Sequence, residues 1–363
     1  MSTEKPGYDR TEPQTARFRP DALATFSTMC LAALGVSAAD AQVVTDNLVY
    51  AELRGHASHG IVRLPVHAKR LVAGVVDPAG RPETATATMA VGVVDGKNAL
   101  GPVAGTYAVD RAIEAAERYG VGVFVARNSN HFGPAAFYSE IASERGLIGV
   151  AASNAPPNMA PWGGKDRFLG TNPFSVAVPA GRLGSIVLDM ASSLVARGKI
   201  ILAAQKGDPI PVGWALDPEG NPTTDAAQAL LGAVLPFGGP KGSAISLLID
   251  VFSGVLSGAA YGRHLNTLEN VSAIQNLGHF FIVLRIDAFI AEDEFRERVD
   301  DLIEQLKASP KAPGVDEILA PGEIERRRVA ESKRSGIAVT GDVLAQLVDL
   351  AESLGVEPPR PIE

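Results

Sequence analysis

The 363-residue sequence is poor in cysteine, in positive charge and in long apolar runs. Its single cysteine, Cys30, excludes an intrachain disulfide and any metal cluster held by several thiolates, and it fits a reducing compartment. Lysine and arginine number 33 against 41 acidic residues, which gives a formal net charge of −8. Because binding to nucleic acid needs a clustered positive surface, we expect no nucleic-acid partner.

The sequence predicts neither a targeting segment nor a membrane span. Residues 1–15 are polar and lack the apolar core of a signal peptide. The most apolar stretch, residues 243–261, contains Asp250, whereas a membrane-spanning helix needs about 20 mostly apolar residues without a charge. We interpret this stretch as a buried helix of a globular core, and we expect a cytoplasmic protein with no membrane partner.

The overall composition, 46% hydrophobic and 20% charged, is typical of a chain that buries a sizeable core. Residues 1–17 show no hydrophobic periodicity and are predicted to be a disordered tail. Helical patterns near both ends predict a helical part made of residues 18–75 together with residues 325–363. Residues 76–324 are predicted to form an α/β domain that binds cofactor and substrate.

The α/β prediction depends on short β-rich runs that alternate with helical patterns, as in layered domains with a buried sheet. The predicted strands are Met89–Val94, Val121–Ala126, Ile148–Ser153, Ser175–Val178, Ile186–Asp189 and Phe280–Arg285. Two stretches rich in glycine and proline, residues 154–173 and 209–240, are predicted to be functional loops. In the N-terminal helical region, Ser37 and Asp40 have the spacing of a capping box.

Residues 54–63 concentrate groups suited to acid–base chemistry in the sequence Arg-Gly-His-Ala-Ser-His-Gly-Ile-Val-Arg. His59 can exchange a proton near neutral pH, and the Ser58 hydroxyl can orient its ring. Arg63 can hold a carboxylate through its planar guanidinium group. The same residues also fit a solvated connection between two helices, so the segment alone leaves both interpretations open.

Four further segments of the central domain carry polar or glycine-rich motifs. Residues 128–136 follow a predicted strand and precede a helix, where backbone amides and the helix dipole favour an anion, although an ordinary turn fits equally. The other segments are residues 163–173, 188–193 and 236–242. At the strand end in the second of these three, Asp189 can cap a helix, bind ribose hydroxyls or orient a histidine.

Several familiar cofactor and metal motifs are absent. The G-x-G-x-x-G fingerprint of the Rossmann fold does not occur after a first strand, and no P-loop is present. His56 and His59 are three residues apart, but no acidic residue or cysteine accompanies them within the segment, so we predict no metal site.

Taken in order along the chain, these segments resemble the type-2 malate/L-lactate dehydrogenase family, which includes sulfolactate dehydrogenase-like oxidoreductases. The resemblance covers residues 31 to 323. The matching pieces are Arg54 to Pro65, Asn130 to Gly133, Gly170 to Pro173, Leu188 to Ala191, Ala196 to Lys199 and Pro321 to Glu323. It implies an α/β fold that binds NAD(P) without being a Rossmann fold, with a central mixed sheet flanked by helices. It also implies a homodimer with the active site near the subunit interface.

The resemblance implies a role for each matching residue. His59 is similar to the general acid, Ser58 to its hydroxyl partner and Arg63 to the ligand of the substrate carboxylate, while Thr171 matches a substrate contact. Asp189 is assigned to both catalysis and cofactor binding. The remaining cofactor-binding assignments are His131, Phe132, Gly133, Pro134, Ala135, Met190, Ala191, Lys241, Gly322 and Glu323.

Two features of this resemblance leave alternatives open. His131 is the proton donor in some readings of the family, so it competes with His59 for that role. Around Lys241 the chain has Pro-Lys-Gly-Ser where the family usually has His-Lys-Gly-Tyr, which changes the neighbours of the lysine.

The function predicted from the sequence is an NAD(P)-dependent oxidoreductase that transfers a hydride between nicotinamide and a small 2-hydroxy or 2-oxo acid. The first alternative is a reductase of a cyclic imino acid such as Δ1-piperideine-2-carboxylate or Δ1-pyrroline-2-carboxylate. The second is a non-catalytic relative that binds nicotinamide or a small acid as a sensor. The sequence does not distinguish NAD from NADP.

Overall fold

The computed structural model describes residues 15–362. The helices are α1 Pro20–Ala33, α2 Ala38–Leu53, α3 Leu64–Val72, α4 Gly101–Tyr119, α5 Ala136–Glu144, α6 Arg197–Lys206, α7 Ala226–Leu231, α8 Pro240–Asp250, α9 Glu292–Ala308, α10 Glu323–Ser335 and α11 Gly341–Leu354. The strands are β1 Ala16–Phe18, β2 Glu83–Thr88, β3 Val91–Asp95, β4 Val121–Ser129, β5 Ile148–Ser153, β6 Phe174–Val178, β7 Ile186–Met190, β8 Ala215–Leu216, β9 Ala233–Val234, β10 Leu277–Leu284 and β11 Ile337–Val339.

The chain divides into two compact units. The first, which we call the helical unit, combines the chain up to residue 72 with the chain from residue 325 onward. The second, which we call the sheet unit, consists of residues 73–324. Within the helical unit, α1, α2, α3 and α11 pack together, and β1 pairs antiparallel with β11.

The prediction of a disordered tail over residues 1–17 is wrong at its end. Ala16 and Arg17 belong to β1, where Ala16 lies opposite Val339 of β11. A strand of three residues is too short to show periodicity, and its partner lies more than 300 residues away, so no local pattern predicts it. Residues 1–14 of that prediction lie outside the described residues.

The ends of α2 follow the predicted capping chemistry. The Ser37 hydroxyl accepts a hydrogen bond from the backbone N–H of Asp40 at 3.2 Å, which is the N-cap half of a capping box, and it donates to the Asp40 carboxylate at 2.6 Å. Beyond the other end of the helix, Gly55 has φ +77°, a left-handed conformation that glycine adopts without steric cost. The chain therefore leaves α2 at a defined angle, just before the segment with Ser58 and His59.

The sheet unit contains a seven-stranded mixed sheet in the order β2-β3-β4-β10-β5-β6-β7. Only β3 and β4 are parallel, and every other neighbouring pair is antiparallel. Because β10 runs antiparallel between β4 and β5, those two strands point the same way. The carboxyl ends of β3, β4, β5 and β7 therefore lie at one edge of the sheet, which we call the C-edge.

Helices cover both faces of this sheet, as the fold prediction required. On one face, α4 and α5 pack over a core that includes Phe124, Tyr138 and Phe281. On the other face, α8 continues into a π-helical turn, Val251–Val255, whose Phe252 stacks on Phe280 of β10 with ring centroids 5.1 Å apart. Alternation along β10 sends odd-numbered side chains to the first face and even-numbered ones to the second. The predicted α/β fold with a mixed sheet between helices is confirmed.

The prediction of a buried helix over residues 243–261 is only half right. The helix spans α8 and the π-helical turn, and its inner side is buried at positions such as Ser246 and Ser253. Its outer side exposes large apolar side chains: Leu247, Leu248, Val251, Phe252, Val255 and Leu256. Composition alone does not show this: apart from Ile249, the buried side consists of small or polar residues, Gly242, Ser246, Asp250, Ser253 and Gly254, so most of the large apolar side chains lie on the outside. Within residues 15–362, no helix is long and apolar enough to cross a membrane.

Candidate active site

The candidate acid–base segment lies in the helical unit between α2 and α3. After Gly55 the chain forms two short 3-10 turns, Ala57–His59 and Ile61–Arg63, before α3 begins. Backbone N–H groups of His59 and Arg63 donate to the carbonyl groups of His56 and Gly60 at 2.8 and 2.9 Å. The segment is therefore an ordered connection and presents Ser58, His59 and Arg63 in fixed relative positions.

Ser58 contacts both His59 and Arg63. The Ser58 hydroxyl oxygen lies 3.0 Å from Nδ1 of His59, within hydrogen-bonding distance. Nε of Arg63 donates to the Ser58 backbone carbonyl at 2.6 Å, which fixes the plane of the guanidinium group. Three of the residues predicted for catalysis and substrate binding are thus brought together by the local chain.

The protonation state of His59 follows from its surroundings. Burial, then the positive charge of Arg63, then His56 lower the pKa of His59 to about 4. The imidazole is therefore neutral at pH 7. A neutral ring whose Nδ1 donates to the Ser58 hydroxyl accepts a proton at Nε2, which suits removal of a proton from a substrate hydroxyl.

Glu52, in the last turn of α2, lies behind this segment and was not predicted from the sequence. Its side chain is buried, and Oε1 accepts a hydrogen bond from the backbone N–H of Ile61 at 2.7 Å. A Cβ atom at Gly60 would lie 2.2 Å from that same oxygen. Burial raises the pKa of Glu52 to about 7. In the sequence, the residue that hints at this contact is Gly60. Its backbone is not in the left-handed conformation, and glycine is needed there because the carboxyl group of Glu52 approaches so closely.

The predicted cofactor loop, residues 131–135, lies at the C-edge between β4 and α5. The backbone N–H of His131 donates to Oε1 of Gln275 at 3.1 Å, and Phe132 to Ala135 are buried. Within these five residues only His131 has a partly exposed side chain. Any contact between residues 132–135 and a cofactor must therefore be made by the backbone of the loop.

Three other predicted segments meet at the C-edge through backbone hydrogen bonds. The N–H of Ser192 donates to the carbonyl of Thr171 at 2.8 Å, and the N–H of Phe237 donates to the carbonyl of Ser192 at 3.1 Å. Residues 189–191, at the end of β7, are partly exposed beside them. Thr171, Asp189 to Ala191 and the loop before Lys241 therefore form one continuous region.

Lys241 stands in the first turn of α8 with its side chain exposed. Backbone N–H groups of this turn are already bonded within the loop, since Gly242 donates to Phe237 and Ser243 to Gly239. The Lys241 ammonium, at the positive end of the helix dipole, is consequently the group able to bind a phosphate. The partly exposed end of β7 belongs to the same hydrogen-bonded region as the loop before Lys241. The chemistry of these residues is compatible with a bound dinucleotide.

Gly322 and Glu323 lie elsewhere in the sheet unit. A Cβ atom at Gly322 would meet Val187, in the first half of β7. The Glu323 carboxylate is bound by Nζ of Lys307 at 2.7 and 2.8 Å and accepts the N–H of Ala320. The structure shows Glu323 engaged in a local ion pair at the start of α10. It does not join these two residues to the C-edge.

His279 supports the cofactor loop and was also missed from the sequence. It lies fully buried on β10, with Nδ1 2.9 Å from the Ser153 hydroxyl and Nε2 2.7 Å from the Ser129 hydroxyl. Its ring stacks on Phe132 of the loop, with centroids 4.4 Å apart. A single histidine in an apolar strand pattern looks like a core residue, and only the fold reveals that it links β4, β5 and the loop.

Among residues 15–362, no group of three or more histidine, cysteine or acidic side chains is placed to hold a metal ion.

Comparison with known proteins decides the family. The family model described as malate/L-lactate dehydrogenase matches residues 18–348. The chain belongs to the malate/L-lactate dehydrogenase family. It is 40% identical over 322 residues to the L-sulfolactate dehydrogenase of Methanocaldococcus jannaschii, a match that covers 89% of this chain and 92% of that protein. The solved structure of the sulfolactate dehydrogenase from that organism superposes with a TM-score of 0.90 at 39% identity, covering 94% of this chain and 98% of that one.

Two further proteins with other named activities are also similar to this chain. The (2R)-3-sulfolactate dehydrogenase (NADP(+)) of Chromohalobacter salexigens is 36% identical over 285 residues, which is 78% of this chain and 84% of that protein. The structure of delta1-piperideine-2-carboxylate reductase from Pseudomonas syringae superposes with a TM-score of 0.82 at 29% identity, covering 92% and 99% of the two chains. The predicted family and class of enzyme, an NAD(P)-dependent dehydrogenase, are confirmed.

The environment of His279 generates a prediction about acid stability. Burial lowers its pKa to about 3 in the folded protein, whereas an unfolded histidine titrates near 6.5. The folded state therefore binds fewer protons on this group between these values, and its stabilising contribution is lost as the pH falls from about 6.5 toward 3. We expect His279→Gln to weaken this pH dependence, measured as the free energy of unfolding in urea at pH 7 and pH 4. His264→Gln, at an exposed histidine, is the matched control; an unchanged pH dependence in His279→Gln would contradict the prediction.

Proposed function

We propose that the protein transfers a hydride between NAD(P) and a small 2-hydroxy or 2-oxo acid of the malate and lactate type, with Arg63 as carboxylate ligand and His59 as proton carrier. The observation that carries this proposal is the contact of Ser58 with both His59 and Arg63 within one ordered segment. Oxidation of a hydroxy acid needs a base for the hydroxyl proton, a cation for the carboxylate and a hydride acceptor. The first two are supplied by this segment.

Arg63 binds the substrate carboxylate in this proposal. Its guanidinium group is planar and permanently charged, and the bond from Nε to the Ser58 carbonyl orients the plane from which the terminal amino groups donate. Thr171 supplies a hydroxyl group for the substrate from the C-edge. Binding of an anionic substrate offsets the charge of Arg63, one of the causes that depress the pKa of His59.

His59 moves the proton. In its neutral form it accepts the proton of the substrate hydroxyl as that carbon is oxidised, and in the reverse direction it returns the proton to the oxygen of the 2-oxo acid. The Ser58 hydroxyl orients the imidazole through Nδ1. When bound, the nicotinamide cofactor supplies or accepts the hydride. Lys241 holds a cofactor phosphate. At the end of β7, Asp189, Met190 and Ala191 line the cofactor. At the end of β4, residues His131 to Ala135 line it as well.

Gly322 and Glu323 have less support as cofactor residues. The ion pair of Glu323 with Lys307 gives its carboxylate a structural partner. We keep His131 as the second candidate for the proton carrier, because its side chain is the partly exposed one in the cofactor loop.

Reduction of a cyclic imino acid is the second candidate function. The structural similarity to the Pseudomonas syringae reductase favours it, and the same arginine would hold the carboxylate of a cyclic substrate. The family match and the similarity to sulfolactate dehydrogenases favour a hydroxy acid. A cytoplasmic location, where nicotinamide cofactors are available, is part of the proposal.

We further propose that the protein is a homodimer that buries the outer side of α8 and the π-helical turn. This surface presents six large apolar side chains, of which Leu248, Val255 and Leu256 are each more than half exposed. Contiguous apolar patches of this kind mark association surfaces. A symmetric dimer would pair the patch with its own copy.

A substrate screen tests the proposed reaction. We expect oxidation of NADH or NADPH in the presence of pyruvate, oxaloacetate or sulfopyruvate, and little with Δ1-piperideine-2-carboxylate, measured by absorbance at 340 nm. Turnover of the imino acid alone would establish the second candidate. Binding of NADPH or NADH without turnover of any of these compounds would instead indicate a sensor.

Paired histidine variants test the proton carrier. We expect His59→Ala to lower kcat by about 10²–10⁴-fold, since that is the usual contribution of general acid–base catalysis. In hydroxy-acid oxidation, kcat/KM of the parent should fall at acid pH as His59 becomes protonated, with the group titrating at about 4, and this fall should vanish in the variant. His131→Ala should mainly weaken binding of NAD(P)H, followed by its fluorescence. If the two variants exchange these effects, His131 is the proton carrier.

The dimer is tested by the oligomeric state in solution. We expect sedimentation equilibrium to give twice the chain mass of 37.9 kDa at micromolar concentration. The double variant Leu248→Glu with Val255→Glu should dissociate it, because unpaired charges would be buried in the interface. A stable monomer of the parent protein would refute the proposal.

A further inference from the structure

The buried carboxyl group of Glu52 has no cation for a partner. Burial raises the pKa of Glu52 and the hydrogen bond from the Ile61 amide lowers it, with no contribution from a charged neighbour. Among residues 15–362, no ion pair includes Glu52. Burying a carboxyl group without a cation is costly. A fold that retains one there, rather than an apolar side chain, needs a reason beyond stability.

Two contacts show what the carboxyl group does. Oε1 accepts the Ile61 N–H at 2.7 Å, which ties the last turn of α2 to the 3-10 turn that ends at Arg63. Gly60 lies flush against the same group, since a Cβ there would be 2.2 to 2.6 Å from Oε1, Cδ and Cγ of Glu52. The backbone between His59 and Ile61 therefore packs against the carboxyl group at Gly60 and is hydrogen-bonded to it at Ile61.

We propose that Glu52 is a positioning residue for the reaction: its carboxyl group fixes the backbone of Gly60 and Ile61 and thereby sets the placement of His59 and Arg63. It does not touch the reacting atoms. The inference rests on the proposed function, because it assigns Glu52 to the segment that carries the proposed proton carrier and carboxylate ligand. An error in that placement of about 1 Å is enough to lower the rate of an enzyme by about 10²-fold.

The chemistry of the contact predicts which replacements preserve it. Glutamine keeps an oxygen at the position of Oε1 that can accept a hydrogen bond from the Ile61 amide. Like the protonated form of the acid, it carries no charge. Alanine removes the acceptor and leaves the Ile61 N–H without it. Gly60→Ala acts from the other side, because the new methyl group would push the carboxyl group away.

The test compares these variants in the full-length protein, with oxaloacetate and NADH as substrates. We expect Glu52→Ala and Gly60→Ala each to raise KM for oxaloacetate and to lower kcat, with kcat/KM reduced at least about tenfold, as expected for a lost buried hydrogen bond. Glu52→Gln should recover most of this loss. The Kd for NADH, measured by fluorescence, should change less than about twofold, because the proposed cofactor groups Lys241 and residues 189–191 belong to the other unit. Asp46→Ala, which removes an exposed carboxylate from the same helix, is the matched control.

A double-mutant cycle makes the test specific for this contact. Once Glu52→Ala has removed the carboxyl group, the methyl group of Gly60→Ala has room, so the two changes together should cost little more than one of them. Stabilisation by malate in a thermal shift assay should fall in both single variants and give a readout that does not depend on turnover.

Four outcomes would overturn the inference. Additive losses in the cycle would mean that Gly60 and Glu52 act independently. Equal weakening of NADH and malate binding in Glu52→Ala would indicate a general folding role. If Arg63→Lys raises KM while Glu52→Ala and Gly60→Ala do not, the positioning role is wrong and the proposed function stands. If His59→Ala and Arg63→Lys both leave activity unchanged, the proposed function fails first and takes the inference with it.

Discussion

The position of β10 between β4 and β5 is the constraint on which the sheet unit depends. Running antiparallel to both neighbours, it lets two strands that are close in sequence point the same way without pairing directly. Their carboxyl ends, and the loops that follow, consequently lie at one edge. The cofactor loop after β4 lies there, and the chain that precedes β6 and the chain that follows β7 reach the same edge because those strands continue the antiparallel order.

His279 makes this arrangement rigid at the C-edge. Hydrogen bonds between the two ring nitrogens and serines on the flanking strands fix the imidazole, and Phe132 stacks on its face. The Tyr138 ring stacks on the other side of Phe132, and its hydroxyl donates to the Phe132 carbonyl. The cofactor loop is thus seated on a packed aromatic stack, which explains why four of its five residues are buried.

Local patterns in the sequence predicted what local forces determine. The Ser37 cap of α2 and the strand Ile148–Ser153 follow from capping chemistry and from the β-rich pattern, and the structure has them as predicted. The contact between Ser58 and His59 was predictable for the same reason, since the two residues are adjacent in the chain. β1, by contrast, depends on a partner at the far end of the chain. Likewise, the role of His279 depends on β10 joining strands that precede it by more than 120 residues, a pairing that no window of the sequence contains.

Glu52 belongs between these two cases. It is only nine residues from Ile61, yet its role escapes a pattern search because an acidic residue near a helix end is ordinarily solvated. What distinguishes it is the tight bend of residues 54–63, which turns the chain back on α2 and buries the carboxyl group under Gly60. The same bend places the partly buried His59 beside Arg63, and both effects lower the pKa of the imidazole. A neutral histidine beside a permanent cation suits a base that acts on an anionic hydroxy acid, because the cation attracts the substrate and also keeps the base unprotonated until the substrate binds. In the proposed arrangement, the buried carboxyl group of Glu52 holds the backbone between that pair through its hydrogen bond with the Ile61 amide.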